Sequence, residues 1–435
     1  MSSAVGQPFI ADSVAESLAE LSSATLAHPQ TDSRTAALAQ ELKFDLLSAK
    51  QDDVNAQHLH QISRNFVSDT LTAPTPEMLA YAIRGSLGDD VFDEPCTKMF
   101  EEHIARISGK EAAIFVPSGT MSNQLALRTH LTQPPHSVLL DARAHIYVHE
   151  AGGLAYHSQA LPIPVKPSNG HHLTLEDIKE NILLSENIHY ATTRVIALEN
   201  TLNGTVIPQE EVVRISEFAR ENGVIMHMDG ARIWHVAIKT GRSIHELCAP
   251  FDSVSMCFSK GLGAPIGSVL VGSQKFITKA RWLRKLMGGG MRQTGYMAAA
   301  ATYALNNNFS RLSGVHQLAQ QLEQGLRELG VKITTPLETC MVFFDSANLG
   351  IPISEVVTRA KSLPDPIIIH GERLVVHVQT SPKAVEDLLA LLKQLVKEKQ
   401  AAGVVPNGSL NDANGAAHNP YEDVRESKKR KISEQ

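Results

Sequence analysis

Lys260 stands between two apolar runs, Ser253-Val-Ser-Met-Cys-Phe and Ser268-Val-Leu-Val, in the turn Ser259-Lys260-Gly261-Leu262-Gly263. Lysines normally belong on solvated faces, so one pinned between buried strands asks for a reason. The flanking glycines allow a tight turn and leave room for a bulky group at the amine. A desolvated amine titrates below a free one and becomes nucleophilic, as a Schiff-base lysine must. The plainer account is a lysine on a glycine-rich surface turn, and the turn alone does not decide between them.

Four further stretches bear on that choice. Pro117-Ser118-Gly119-Thr120 lies where a strand gives way to a helix. Small residues at a helix N-terminus offer free N–H groups and hydroxyls to a phosphate, although Ser-Gly-Thr is also an ordinary helix cap. In His227-Met-Asp229-Gly-Ala-Arg232 the aspartate ends an apolar strand, where an unpaired carboxylate is costly. A pyridinium nitrogen would justify it, and the pair would keep such a ring protonated as an electron sink; capping of the next helix is the alternative. Arg232, one turn on, reaches a phenolic oxygen or a neighbouring carboxylate. His145, in Asp141-Ala-Arg-Ala-His145-Ile-Tyr-Val-His149-Glu, follows a strand and suits ring stacking and proton transfer, as His149 does, while a structural histidine is the alternative. Arg373 offers a fork for a carboxylate, or lies on the surface. Together these parts match what a pyridoxal phosphate site needs.

The elements that must position them alternate between strand-length apolar runs and helical patterns from Asn65 onward. Glu111-Ala-Ala-Ile-Phe-Val-Pro, Ser137-Val-Leu-Leu-Asp, Arg194–Glu199 and Val224–Asp229 read as strands, with helices over Met121–Thr129 and Pro208–Glu221. Continuous rather than alternating strands, separated by helices, predict an α/β fold whose mostly parallel sheet is covered on both faces. Ligands then gather at the strand C-terminal ends. From about residue 325 shorter strands (Met341-Val-Phe-Phe-Asp, Arg373-Leu-Val-Val-His-Val) and the amphipathic Ala384–Glu398 predict a small α+β domain. The expected division is an N-terminal extension over 1–60, mobile or forming one or two weakly amphipathic helices (Val14, Leu18, Leu21; Leu38, Leu42, Leu46), a large domain over 61–325, a small domain over 326–402 and a disordered tail over 403–435. The tail carries Lys428-Lys-Arg-Lys431, a basic run that serves as a nuclear signal in some chains and arises by chance in others.

The bulk composition narrows the classes. A chain of 435 residues, 43% hydrophobic and 20% charged, is an ordinary globular protein. A net charge of −6 argues against general affinity for nucleic acid or acidic membranes. Cys96, Cys248, Cys257 and Cys340 show no CxxC spacing and read as reduced thiols with no zinc site, so no metal is expected. No apolar run reaches the roughly 20 residues a membrane helix needs, and Met-Ser-Ser-Ala-Val-Gly-Gln-Pro is not a secretory signal. A cytoplasmic location is the expectation.

The landmarks Asn65-Phe-Val-Ser68-Asp69-Thr70, Gly88-Asp-Asp-Val-Phe, Gly109-Lys-Glu-Ala-Ala, Ser118-Gly-Thr, Ala144-His145, Leu198-Glu-Asn-Thr, Asp229-Gly-Ala-Arg232, Ser259-Lys260-Gly-Leu-Gly and Gly288-Gly-Gly-Met-Arg-Gln run in order over most of the chain. In this ensemble the chain resembles the low-specificity L-threonine aldolases, in their fungal branch. That family belongs to the fold-type-I, aspartate-aminotransferase-like pyridoxal phosphate enzymes. The resemblance implies a Schiff base at Lys260 and a pyridinium partner in Asp229. It places Arg232 near the cofactor oxygen, Ser118, Gly119 and Thr120 at the phosphate, and His145 over the ring. Ser68 and Arg373 match the positions that hold the substrate carboxylate, and His189 matches a histidine proposed near the substrate hydroxyl. It also implies a dimer-based homotetramer with sites at subunit interfaces, and places the Gly288–Arg292 loop at such an interface.

The expected reaction is cleavage of L-threonine or L-allo-threonine to glycine and an aldehyde. Two departures bear on it. Family members commonly read Val-Tyr-Gly-Glu-Asp-Pro-Thr where this chain reads Val91-Phe92-Asp93-Glu94-Pro95-Cys96-Thr97, one residue short, and Leu202 stands where many have histidine. The same site breaks Cα–H in place of Cα–Cβ when the other bond stands perpendicular to the cofactor, so an alanine racemase supplying D-alanine to secondary metabolism is the alternative. An inactive relative serving as an assembly subunit is a third, opposed by the intact set Lys260, Asp229, Arg232 and His145.

Overall fold

The computed structural model describes residues 40, 51–185 and 187–403. The chain divides into two compact units, Met1–Leu59 and His60–Gln435. Of the first, only residue 40 and the start of the helix Gln51–Ser63 are described, so the helices expected before residue 50 lie outside the described residues, as do the tail from 404 and its Lys428–Lys431 run. The second unit carries the sheets and every candidate site residue.

A seven-stranded sheet forms its centre, in the order β1-β7-β6-β5-β4-β2-β3. The strands are β1 (Ala112–Val116), β2 (Ser137–Asp141), β3 (Leu161–Val165), β4 (Thr193–Glu199), β5 (Ile225–Gly230), β6 (Ser253–Cys257) and β7 (Ser268–Gly272). From β3 through β6 neighbours run parallel, whereas β7 is antiparallel to both β1 and β6. Every residue of β2, β6 and β7 is buried, which is why these runs read as continuously apolar. Helices cover both faces. Gly119–His130 packs on β6 and β7, and Pro95–Ser108 on β1 and β7.

A second, antiparallel sheet follows in the order β10-β9-β8, from β8 (Lys332–Thr335), β9 (Met341–Asp345) and β10 (Arg373–Val375). It is shorter than the pattern predicts at β10. Beyond Val375 only the Val376 N–H still reaches the Cys340 carbonyl (2.9 Å), and the His377 N–H turns to Thr380 Oγ1 (2.9 Å). Residues 63–67 are stitched to this region rather than to the large sheet alone. Phe66 N–H donates to the Ile368 carbonyl (2.9 Å), Val375 N–H donates to the Phe66 carbonyl (2.8 Å), and Arg64 pairs with Asp387 (2.9 Å). Among the described residues no helix is long and apolar enough to cross a membrane.

Candidate active site

The parallel strands place their C-terminal ends along one edge, and most of the sequence-predicted residues meet there. Ser118 follows β1, His145 follows β2, Asp229 ends β5, and Lys260 lies in the turn from β6 to β7. That turn exists because β7 reverses direction: a short connection returns the chain beside β6 and leaves the lysine at the strand tip. Lys260 is half-buried, and among the described residues neither an ion pair nor a hydrogen bond engages its amine. Gly261 is required here, since a Cβ on it would stand 2.4 Å from His235 Nε2. Lys260 is thus half-buried at the same sheet edge as Ser118, His145 and Asp229.

Asp229 is 2% exposed. Its Oδ2 accepts from Asn123 Nδ2 (2.7 Å) and its Oδ1 from the Ala231 N–H (3.0 Å). It does not cap the next helix, whose first turn has no side-chain cap. No lysine or arginine lies within ion-pair distance of it among the described residues, which leaves a buried carboxylate short of a cation. Asn123 Oδ1 in turn faces His227 Nε2 (3.2 Å), and His227 Nδ1 faces Ser253 Oγ (2.9 Å). Burial pushes the His227 imidazole down to about 4, so it supports the network as a neutral ring.

Arg232 takes the second of the two partners open to it. Its guanidinium forms a fork with Asp69, at 2.7 and 2.6 Å, in a bidentate pair that is nearly closed to solvent. Burial alone would raise the Asp69 carboxyl, but the Arg232 charge and hydrogen bonds outweigh it and hold Asp69 far below the usual carboxylate range. Sequence reasoning singled out Ser68 and passed over its neighbour Asp69. The signal was present in the Ser-Asp-Thr run, but only the fold says that residue 69 meets residue 232.

Ser118 caps the helix Gly119–His130, its Oγ accepting from the Met121 N–H (3.1 Å). The N–H groups of Gly119 and Thr120, in the first turn, have no partner inside the helix and open toward an anion. A Cβ on Gly119 would lie 2.7 Å from Cys257 Sγ, so only glycine fits. Ser68 and Arg373 are drawn together by the stitched segment: Arg373 Nη2 donates to the Val67 carbonyl (3.3 Å) and Ser68 caps the turn Asp69–Leu71.

His145 has its Nδ1 2.8 Å from Glu150 Oε1, and its backbone N–H donates to Glu199 Oε2 (2.7 Å). Burial disfavours charging the ring, yet the Glu150 hydrogen bond and the Asp229 charge together raise it above its ordinary value. Glu199, opposite Asp229 in the sheet register, is held well above the usual carboxylate range by burial and by the Asp229 charge. The ring of His149 lies 5.4 Å from that of His145. Sequence reasoning missed Asn123, Glu150 and Glu199; Glu150 follows His149 directly, and only burial distinguishes it from a surface carboxylate.

His189 is the expectation that the structure does not bring to the others. It sits on an exposed loop before Thr193, the first residue of β4, whereas the site lies at the far end of that strand. A seven-residue strand spans about 20 Å, so within one chain His189 is at the opposite edge of the sheet.

The loop Asp89–Thr97 is shaped by two of its acidic residues. Asp93 takes the left-handed conformation (φ 56°) that a glycine would take without strain, and Glu94, 2% exposed, caps the helix Pro95–Ser108. The Gly288–Arg292 loop closes on it from the other side: Met291 N–H donates to Asp90 Oδ2 (2.9 Å), and Arg292 pairs with Asp89.

The beta-eliminating lyase family model matches residues 65–348. A low-specificity L-threonine aldolase of Saccharomyces cerevisiae is 47% identical over 322 residues, covering 73% of this chain and 83% of the yeast one. An alanine racemase of Cochliobolus carbonum is 38% identical over 342 residues, covering 77% of this chain and 87% of its own. Among solved structures, a threonine aldolase of Leishmania major superimposes with a TM-score of 0.66 at 21% identity, over 76% of this chain and 99% of that one. That likeness shows the fold.

Proposed function

The chain belongs to the low-specificity L-threonine aldolases of the beta-eliminating lyase family, with their fold-type-I architecture, and from that premise we propose that it cleaves L-threonine and L-allo-threonine to glycine and acetaldehyde with pyridoxal 5'-phosphate as cofactor. The observation that carries the reading is the meeting of Lys260 with a buried Asp229 that lacks a cation among the described residues, at one edge of the sheet. A protonated pyridine nitrogen supplies the charge Asp229 lacks, Lys260 supplies the amine for the aldehyde, and the Gly119 and Thr120 amides suit the phosphate. When bound, the cofactor provides a sink for the electron pair released as Cα–Cβ breaks.

The rest is the work of side chains. Arg373 and Ser68 hold the substrate carboxylate. Arg232, fixed by Asp69, keeps a positive charge near the ring position. His145, beside the site opening, takes the β-hydroxyl proton as the aldehyde leaves, and a proton returned to Cα completes glycine. Replacing Arg373 by Ala removes a charged hydrogen bond worth about 1.5–3 kcal/mol, so the KM for threonine should rise roughly 10- to 100-fold with a smaller change in kcat. Steady-state kinetics on threonine decide it.

Racemisation of alanine on the same scaffold has less support, since the racemase relative is the more distant of the two. Incubation with L-threonine and L-alanine in deuterium oxide separates the readings. Acetaldehyde release is expected; D-alanine without any aldehyde would overturn the aldolase.

The reading includes a homo-oligomer, a dimer-based tetramer. Around the Asp89–Thr97 loop and its partner segment large apolar side chains stay exposed, among them Leu87, Phe92, Trp282 and Leu286 at 70–81%. A role for His189 would need a second copy of the chain. The four free cysteines are in keeping with a cytoplasmic location.

A further inference from the structure

We propose that Glu150 is a positioning residue that fixes the His145 imidazole with its proton on Nδ1, leaving Nε2 as the proton acceptor of the site. The inference rests on the aldol-cleavage reading and deepens it.

The Glu150 side chain is wholly buried. Its Oε1 receives Asn123 Nδ2 (2.8 Å) and faces His145 Nδ1 (2.8 Å), and its Oε2 receives Gln124 Nε2 (2.6 Å). Asn123 and Gln124 each aim an NH2 at one of its oxygens, which is the environment of a carboxylate and not of a carboxylic acid. A carboxylate only accepts, so the hydrogen of a neutral His145 ring must sit on Nδ1. Nε2 then carries the lone pair. No side chain claims it among the described residues, and 32% of the His145 side chain is open to the site.

Asn123 makes the arrangement compatible with Asp229. One amide group donates to both Glu150 and Asp229, so two buried carboxylates stand on either side of an NH2 rather than against each other. The two carboxylates, which only accept, draw the NH2 of Asn123 to themselves and leave its Oδ1 facing His227 Nε2. The charges that face His145 are Glu150 and His149 from its own segment, Asp229 on β5, Glu199 on β4 and Lys260 from the β6–β7 turn. Of these, Glu150 is the group seen to hydrogen-bond the ring among the described residues.

The proton balance is simple. Neutral His145 accepts the β-hydroxyl proton at Nε2 and becomes an imidazolium, whose Nδ1–H stays on Glu150 while the Cα–Cβ bond breaks. The pair resembles the base and orienting carboxylate of a hydrolase triad, with a substrate hydroxyl in place of the serine.

Glu150→Gln tests it. The substitution fits, because Gln124 Oε1 has no partner among the described residues and can turn to accept from the new amide. Nitrogen NMR of the cofactor-free protein should show the Nδ1–H tautomer of His145 in the parent, and an imidazole pKa lower by about half a unit or more in the variant. In the loaded enzyme the acid limb of kcat/KM should move to lower pH by a similar amount. At pH 7 kcat should fall about tenfold or more, with cofactor affinity changed less than about threefold and Glu150→Asp partly restoring activity. An Nε2–H tautomer in the parent protein would overturn the proposal even if the variant fails to fold. So would an unmoved acid limb and titration beside a lowered Tm, the mark of a merely structural carboxylate. If the NMR result holds while threonine is not cleaved, the aldolase reading falls and the Glu150–His145 pair stands.

Discussion

Lys260→Ala is expected to lower threonine cleavage about a thousandfold or more while the protein stays folded. The amine is the nucleophile of the proposed chemistry, and among the described residues no neighbouring lysine reaches the same strand tip to replace it. Its removal should cost little stability, because the side chain is half-buried and holds neither an ion pair nor a hydrogen bond among the described residues. Strand pairing of β6 with β7 is independent of it. Kinetics, circular dichroism and the visible absorbance of the cofactor-loaded protein check the two halves together. Turnover within about tenfold of the parent would refute the assignment of Lys260; loss of fold would refute the claim that its role is chemical.

Asp69→Ala should act the other way, on stability first. The Asp69–Arg232 pair is buried and bidentate. Removing one partner leaves an uncompensated guanidinium, which typically costs about 3–5 kcal/mol. The melting temperature should fall on the order of 10 °C. The pH dependence has a definite sign. Because Arg232 holds the folded Asp69 carboxyl far below its unfolded value near 3.9, the contribution is complete above that value and is lost as pH falls toward the folded one. The gap between parent and variant should therefore be constant from about pH 5 to 8 and shrink only below about pH 4. Denaturant titrations at three pH values measure it. A gap under about 1 kcal/mol at pH 7, or one that grows on acidification, would sink the idea.

The large sheet was legible because its strands are buried on both faces and so leave unbroken apolar runs; β2 and β6 match their predicted spans closely. The edge strand β3 escaped notice. Leu161-Pro-Ile-Pro-Val carries two prolines and half-exposed positions, which an edge tolerates and a sequence pattern discounts. Lys260, Asp229, His145 and Ser118 could be picked out because each follows or ends a strand, where type and position together imply chemistry. Asn123, Glu150 and Glu199 could not, since their meaning lies in contacts between β4, β5, the helix Gly119–His130 and the bend after His149, which only the fold brings together. The place of His189, at the opposite edge of the sheet within one chain, was not legible for a related reason: a motif match carries no information about which end of a strand it falls on. The bond between Ser68 and Asp69 separates a residue that caps its own turn from one that pairs with Arg232, and spacing alone cannot assign the two.

The segment from Arg64 to Asp69 has its early residues sewn to the small sheet and its last clamped to the large one through Arg232. It is a strap with both ends tied. Ser68 rides on that strap and Arg373 is bonded to it, so the two residues proposed to grip the substrate carboxylate are tied to both sheets. Every α-amino acid presents the same carboxylate to such a grip. On the proposed reading, selection among side chains therefore falls to elements other than the strap. On that reading the strap would make the site strict about the head of its substrate and leave the choice of tail to its other walls.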